Sequence, residues 1–167
     1  KPDKDPVVLA FDTSGSMSEQ EIADSLAETK GILAQYNRPI RVMAADSDVH
    51  IDDYARNVDE IELRGGGGTS YEPVFEQVAE EPDPQGDPAM LIYFGDLMAT
   101  FPDDPPPYPV IWVNTHETRA KEPPFGEVID LDEAAARDRR HEDASIVSDE
   151  HEFRDRVSRT LDEAAEP

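Results

Sequence analysis

Five side chains that could bind a metal ion through oxygen stand at three points of the chain. They are Asp12, Ser14 and Ser16 after one apolar segment, Thr69 after a run of glycines, and Asp96 after a second apolar segment. Two carboxylates and three hydroxyls suit a hard divalent cation, chiefly Mg²⁺ or Mn²⁺, and the set contains no histidine or cysteine, which disfavours zinc. Since the set carries only two negative charges, we expect the ion to stay electrophilic, so that a carboxylate from outside could complete its shell.

Short β-rich segments predict strands, and those that are continuously apolar, such as residues 7–11 and 90–94, predict burial on both faces of a sheet. The predicted strands are residues 7–11, 40–45, 49–54, 61–63, 90–94, 110–113 and 127–131. Amphipathic helices predicted over residues 19–36 and 72–79 alternate with them, which indicates an α/β fold with a mostly parallel central sheet. Because ligands bind beyond the carboxyl ends of parallel strands, we expect the three metal-binding points to meet there.

A further amphipathic helix is predicted after the sheet, over residues 150–164. Phe153, Val157 and Leu161 are spaced to lie on one of its faces. The sequence leaves open whether this face packs on the chain's own sheet or docks a partner. We expect a metal-binding domain over residues 1–131 and an acidic helical C-terminal extension over residues 132–167.

Composition and charge exclude several classes of protein. The 167 residues are enough for one domain. A formal net charge of −24 repels nucleic acid and anionic lipid, and the absence of cysteine excludes disulfide scaffolds and thiol chemistry. No segment has the apolar length of a membrane helix and no signal peptide is visible, so we expect a cytoplasmic or virion-associated protein. The chain begins at Lys1 and not at a methionine. The sequence therefore leaves open whether a further segment precedes Lys1 in the protein.

The choice of charged residues predicts an environment rather than a fold. Lysine supplies four of the 15 basic residues, and aspartate slightly outnumbers glutamate. This pattern favours a halophilic protein, which stays soluble where concentrated salt screens self-repulsion. An acidic protein from a GC-rich genome is the alternative.

The order and spacing of Asp12, Ser14, Ser16, Thr69 and Asp96 resemble a known metal site. It is the metal-ion-dependent adhesion site (MIDAS) of the von Willebrand factor type A (VWA) domain, which reads Asp-x-Ser-x-Ser, then a distant Thr, then a distant Asp. The resemblance covers residues 5–131. It implies a Rossmann-like sheet with helices on both faces, and a metal ion at its top that binds an Asp or Glu of a partner protein.

A narrower resemblance involves residues 91–96, the proline-rich loop after them, and residues 109–113 and 123–129. These segments are similar to the VWA-like domain at the C-terminus of bacterial and phage predicted metal-dependent peptidases. The resemblance implies a MoxR-type AAA+ ATPase or an upstream peptidase-like domain as the partner. The sequence lacks the zinc-peptidase motif His-Glu-x-x-His. It also has Leu97 where many relatives have glycine after the last metal-binding Asp.

We therefore interpret the chain as a divalent-cation-dependent protein-binding module and not as an enzyme. Two alternatives stay open: a structural or assembly protein, such as a virion component that keeps the VWA fold, and a fragment of a larger metallopeptidase. Catalysis by Ser14 would need a histidine base within reach, and only a coincidence of folding would bring His50 or His116 there.

Two other features have simpler explanations than a ligand site. The glycines at residues 65–68 lack the lysine of a phosphate-binding P-loop. Four acidic residues could form a second cation site, but ordinary positions in a turn and an edge strand explain them more simply. They are Asp46, Asp48, Asp52 and Asp53.

Overall fold

The computed structural model has a central sheet with helices on both of its faces. It describes residues 5–13, 18–36, 38–58, 70–84, 86–115, 121–130 and 145–165. The strands are β1 (Val7–Asp12), β2 (Ile40–Ala45), β3 (Val49–Tyr54), β4 (Met90–Gly95), β5 (Val110–Asn114) and β6 (Glu127–Asp130). The described α-helices are α1 (Glu19–Leu33), α2 (Glu72–Glu80) and α3 (Ser145–Ala165), with short 3₁₀ turns at Ala34–Tyr36 and Ala55–Asn57.

The strand order across the described sheet is β3-β2-β1-β4-β5-β6. All neighbouring strands pair in parallel except β2 and β3, which pair antiparallel at one edge. The chain passes from β1 outward to β2 on one side, and it later returns to β4 on the other side. The gap between the ends of β1 and β4 is therefore the point where the strand order reverses, which is the usual ligand position in such sheets.

The side chains of β1 alternate between two hydrophobic layers. Val7, Leu9 and Phe11 pack in one layer with α1 and α3, whereas Val8 and Ala10 pack in the other with α2. Helices thus cover both faces of the sheet, and this explains why the strands are continuously apolar. The predicted α/β class and mostly parallel sheet are confirmed.

A capping box stands at the start of α1. The Ser18 side chain accepts a hydrogen bond from the Glu21 amide, and the Glu21 side chain accepts one from the Ser18 amide. The predicted helix over residues 19–36 is α-helical only to Leu33, and a 3₁₀ turn follows. Such a turn tightens the last part of a helix before a residue like Pro39, which cannot continue it.

The C-terminal helix packs on the chain's own sheet. Phe153, Val157 and Leu161 are buried in the layer that contains α1. Arg154 and Arg156 add ion pairs from α3 to the rest of the domain, to a glutamate of α1 and a glutamate of β6 respectively. The intrachain packing alternative is therefore the one that the structure supports. The helix also begins earlier than predicted, at residue 145.

Several predicted features lie outside the described residues. They are the strand at residues 61–63, the glycine run at residues 65–68, His116, and most of the acidic stretch between β6 and α3. The remaining predicted strands agree with the structure to within one residue at each end.

Candidate metal site

Two of the predicted metal ligands, Asp12 and Asp96, lie side by side at the carboxyl ends of adjacent strands. Asp12 is the last residue of β1 and is 5% exposed. Asp96 directly follows β4, and the register that pairs Phe11 with Phe94 brings the two strand ends together. The other predicted ligands, which are Ser14, Ser16 and Thr69, lie outside the described residues.

The side chain of Tyr71 lies close to both carboxylates, although the sequence did not predict Tyr71 as part of the site. Its buried hydroxyl donates a hydrogen bond to Oδ1 of Asp96, with 3.2 Å between the oxygens. Burial raises the pKa of Tyr71 well above its usual value, and the negative charges of Asp12 and Asp96 raise it further. The phenol therefore keeps its proton and acts as a permanent donor to the site.

Gly95 keeps the space between these groups free. A Cβ atom at this position would lie 3.1 Å from Cβ of Asp12, 3.2 Å from the Tyr71 hydroxyl and 3.4 Å from Oδ2 of Asp12. The first two distances are shorter than ordinary contacts, so a larger residue would push the Asp12 and Tyr71 side chains away. Glycine here serves a close approach of side chains rather than an unusual backbone angle.

The turn after Asp96 is held by that residue's own carboxylate. Oδ1 of Asp96 also accepts a hydrogen bond from the Met98 amide at 3.0 Å. Leu97 between them has a φ of 61°, in the left-handed region, and its side chain is fully buried. Leucine therefore adopts the conformation for which glycine is the usual residue, and burial of its side chain offsets a backbone cost of about 1–2 kcal/mol.

The hydrogen bonds that Asp96 accepts from described residues share one of its two carboxylate oxygens. Among the described residues, both donors to this carboxylate reach Oδ1. Oδ2 is then the atom available to a cation. This donor chemistry fits Mg²⁺ or Mn²⁺, because hard ions prefer carboxylate oxygen.

Thr13, the last described residue before the predicted ligands Ser14 and Ser16, is held by contacts to β2 and β3. Its amide donates to the Ala45 carbonyl at 2.9 Å, and its hydroxyl lies 3.3 Å from the same carbonyl and 3.0 Å from Nε2 of His50. If Nε2 of His50 carries a proton and donates it, the hydroxyl can in turn donate to Ala45, and all three groups are satisfied. His50 is thus a half-buried partner of Thr13, and the sequence did not predict this contact.

Asp52 and Asp46, two of the acidic residues near β3, are held by local hydrogen bonds. Nε and Nη2 of Arg41 donate to the two oxygens of Asp52 at 2.7 and 2.6 Å, and Gln77 donates to the same carboxylate at 3.0 Å. Burial alone would raise the pKa of Asp52, but the hydrogen bonds from Arg41 and Gln77 lower it overall. Asp46 accepts a hydrogen bond from the Asp48 amide within the turn. The structure therefore supports the turn and edge-strand explanation over a second cation site.

Within the described residues, no group of three or more His, Asp and Glu side chains converges as a metal centre. The two carboxylates at the ends of β1 and β4 would need the hydroxyls of the predicted motif to complete a coordination shell.

Among the described residues, no helix has both the length and the apolar composition of a membrane-spanning segment.

The described six-stranded sheet, which is mostly parallel and has helices on both faces, fits a VWA-like α/β domain. The model of the family described as VWA-like domain (DUF2201) matches residues 7–132, which is more than half of the chain. The chain belongs to this family. The comparison with curated proteins found no match.

Family membership confirms the predicted VWA-like fold and indicates a module for protein interaction or assembly. The MIDAS ligand set, the bound cation and the likeness to peptidase-associated domains stay predictions.

Proposed function

We propose that the chain is a divalent-cation-dependent protein-binding module. Asp12, Ser14, Ser16, Thr69 and Asp96 would hold Mg²⁺ or Mn²⁺, directly or through water. An Asp or Glu side chain of a partner protein would supply the remaining ligand. By resemblance, the partner is a MoxR-type AAA+ ATPase or an upstream peptidase-like domain.

The observation that carries this proposal is the meeting of Asp12 and Asp96 where the strand order reverses. Two carboxylates at adjacent strand ends repel each other, and a buried charge such as that of Asp12 is stabilised only by hydrogen bonds, opposite charge or a metal. Tyr71 and the Met98 amide both hold Oδ1 of Asp96, so the carboxylate is fixed before any ion arrives. Such preorganisation lowers the entropy lost on binding.

The charge of the site supports recruitment of an acidic partner. Two carboxylates only balance the charge of a divalent cation, and hydroxyl ligands add none. The site would then be close to neutral, so that the cation could still attract a third carboxylate to an open coordination position, although the protein surface as a whole repels acids. The cation would supply this attraction when bound, and Asp12 and Asp96 would help to hold the cation in position.

Binding rather than catalysis is favoured by the described residues around the site. The hydroxyl of Thr13 lies beside His50, but the side chain is 3% exposed and the hydroxyl also contacts the Ala45 carbonyl. A nucleophile must reach its substrate, and burial keeps the Thr13 hydroxyl from contact with one. The Thr13–His50 pair is therefore proposed as a structural support.

Electron paramagnetic resonance of Mn²⁺ tests the proposal, because the signal of the free ion decreases when the ion binds. We expect wild-type protein to bind Mn²⁺ and added Mg²⁺ to displace it. Asp96→Asn keeps the Oδ1 acceptor but loses the charge, so it should weaken Mn²⁺ binding at least tenfold. Asp162→Asn, at an exposed position of α3, is the matched control and should bind as wild type does. Equal binding by all three proteins would contradict the assignment.

A further inference from the structure

An open groove of about 570 Å³ lies between α2 and the proline-rich segment at residues 102–108. Its volume is that of a pocket able to take several side chains of a ligand. It is separate from the carboxylates of Asp12 and Asp96, neither of which lines it. None of the proposed metal chemistry requires it.

Apolar and aromatic side chains line the groove from both of its sides. Phe75 and Val78 of α2 form one side, and the ring of Phe75 is held in an aromatic cluster with Tyr93, Trp112 and Phe125. Tyr108 lies on the opposite side. Burial, together with the charge of Asp87, raises the pKa of Tyr108 to about 12, so its ring is a neutral surface at physiological pH.

Proline makes the second wall rigid. Residues 101–109 read Phe-Pro-Asp-Asp-Pro-Pro-Pro-Tyr-Pro, and each proline fixes its own φ near −65°. Pro102, Pro106 and Pro107 line the groove directly. A wall that is already ordered loses little entropy when a ligand binds.

The charged side chains that line the groove are all acidic. They are Glu72, Glu76, Asp87, Asp103 and Asp104, and among the described residues no lysine, arginine or histidine lines it. None of the ion pairs in the described part of the chain involves them. The groove therefore combines apolar contact area with a rim of negative charge that no ion pair of the described residues neutralises.

We propose that this groove binds a cationic peptide segment of a partner protein, in which arginine or lysine flanks an apolar side chain. The apolar residue would pack between Phe75 and Tyr108, and the basic residues would pair with the acidic rim. A net charge of −24 disfavours nucleic acid and a second copy of this chain as occupants, because both would carry like charge. The proposal does not depend on the cation site.

Fluorescence anisotropy with three short labelled peptides tests the proposal on the full chain. The first has a central leucine flanked by arginines, the second has serine in place of leucine, and the third has glutamates in place of the arginines. We expect only the first to bind well, with the same affinity in Mg²⁺ and in EDTA. The measurement uses the lowest salt concentration at which circular dichroism shows the protein folded.

Charge-reversal variants locate the binding. The double substitution Asp103→Lys with Asp104→Lys should weaken binding of the first peptide about tenfold, because two exposed pairs are replaced by repulsion. Asp162→Lys with Glu163→Lys on α3 changes the net charge equally at exposed positions and should change binding less than twofold. Equal weakening by both pairs, or equal affinity for the leucine and serine peptides, would show attraction by bulk charge and overturn the proposal. Absence of binding by the first peptide would also overturn it.

Discussion

The hydroxyl of Tyr71 donates a hydrogen bond to Oδ1 of Asp96, across 25 positions of sequence. The same ring packs against Tyr93, Phe101 and Trp112 in the hydrophobic layer beneath α2. The position of a candidate metal-binding carboxylate is thus set by an aromatic core. A substitution among these aromatic residues should therefore alter the position of Asp96 through Tyr71.

Replacing Tyr71 by phenylalanine tests this coupling. Tyr71→Phe keeps the ring packing but removes the donor, so we expect a loss of about 1 kcal/mol in the free energy of unfolding. We also expect Mn²⁺ affinity to fall about tenfold, because Asp96 loses a group that orients it. Chemical denaturation and Mn²⁺ titration measure the two effects. Tyr108→Phe, which is remote from the site, is the control, and unchanged Mn²⁺ affinity in Tyr71→Phe would argue against an orienting role.

Adding a methyl group at Gly95 should damage the site from within. In Gly95→Ala the new Cβ would lie 3.1 Å from Cβ of Asp12, and we expect a destabilisation of about 1–3 kcal/mol from overpacking. Gly31→Ala is the matched control, because nothing lies within 4 Å of its added Cβ. The control should be stabilised by about 0.5–1 kcal/mol, as expected for a helix interior. Similar unfolding curves for both variants would contradict the close approach at Gly95.

Leu97 presents two opposing effects that substitution can separate. Leu97→Gly should relieve the left-handed backbone but lose a buried side chain, and the lost burial outweighs the relief because it costs about 2–5 kcal/mol. Leu97→Ala loses most of the side chain and keeps the strain, so we expect it to be about 1 kcal/mol less stable than Leu97→Gly. Denaturation midpoints should therefore fall in the order Leu, Gly, Ala. An alanine variant more stable than the glycine variant would contradict the left-handed conformation.

The Arg41–Asp52 pair predicts a pH dependence of stability. Its hydrogen bonds lower the pKa of Asp52 in the folded state, so its contribution is complete above the unfolded pKa of about 3.9 and is lost as pH falls through the lower folded value. Asp52→Asn should cost about 2 kcal/mol at neutral pH, and the difference from wild type should shrink as pH falls below about 4. Asp162→Asn supplies the control. A difference that stays constant to low pH would contradict the ionised pair.

The strands are the part of the fold that the sequence predicts best. Continuous apolar segments such as Met90–Gly95 are buried on both faces, and the reciprocal capping box of Ser18 and Glu21 marks the start of α1. Residues 145–149 carry no apolar repeat that separates them from the acidic stretch before them, and this is why the sequence predicts too late a start for α3.

The sequence predicts only those residues of the candidate site that stand at the ends of recognisable strands. Asp12 and Asp96 follow buried segments, and the parallel sheet then brings them together. Tyr71 and His50 reach the site through tertiary contacts that no local spacing encodes. The left-handed turn at Leu97 also gives no signal in the sequence, because leucine is rarely found in that conformation.

A thermal melt of metal-free protein, with and without added Mg²⁺ or Mn²⁺, tests the cation site most directly. Asp12→Asn is melted beside wild type, because asparagine keeps the shape of the side chain and removes its charge. An ion that binds only the folded state stabilises it by about 2.7 kcal/mol at one hundred times its Kd, so we expect the wild-type Tm to rise by about 5 °C or more. The Tm of Asp12→Asn should not rise. An equal rise in both proteins, or none in wild type, would contradict the proposed function.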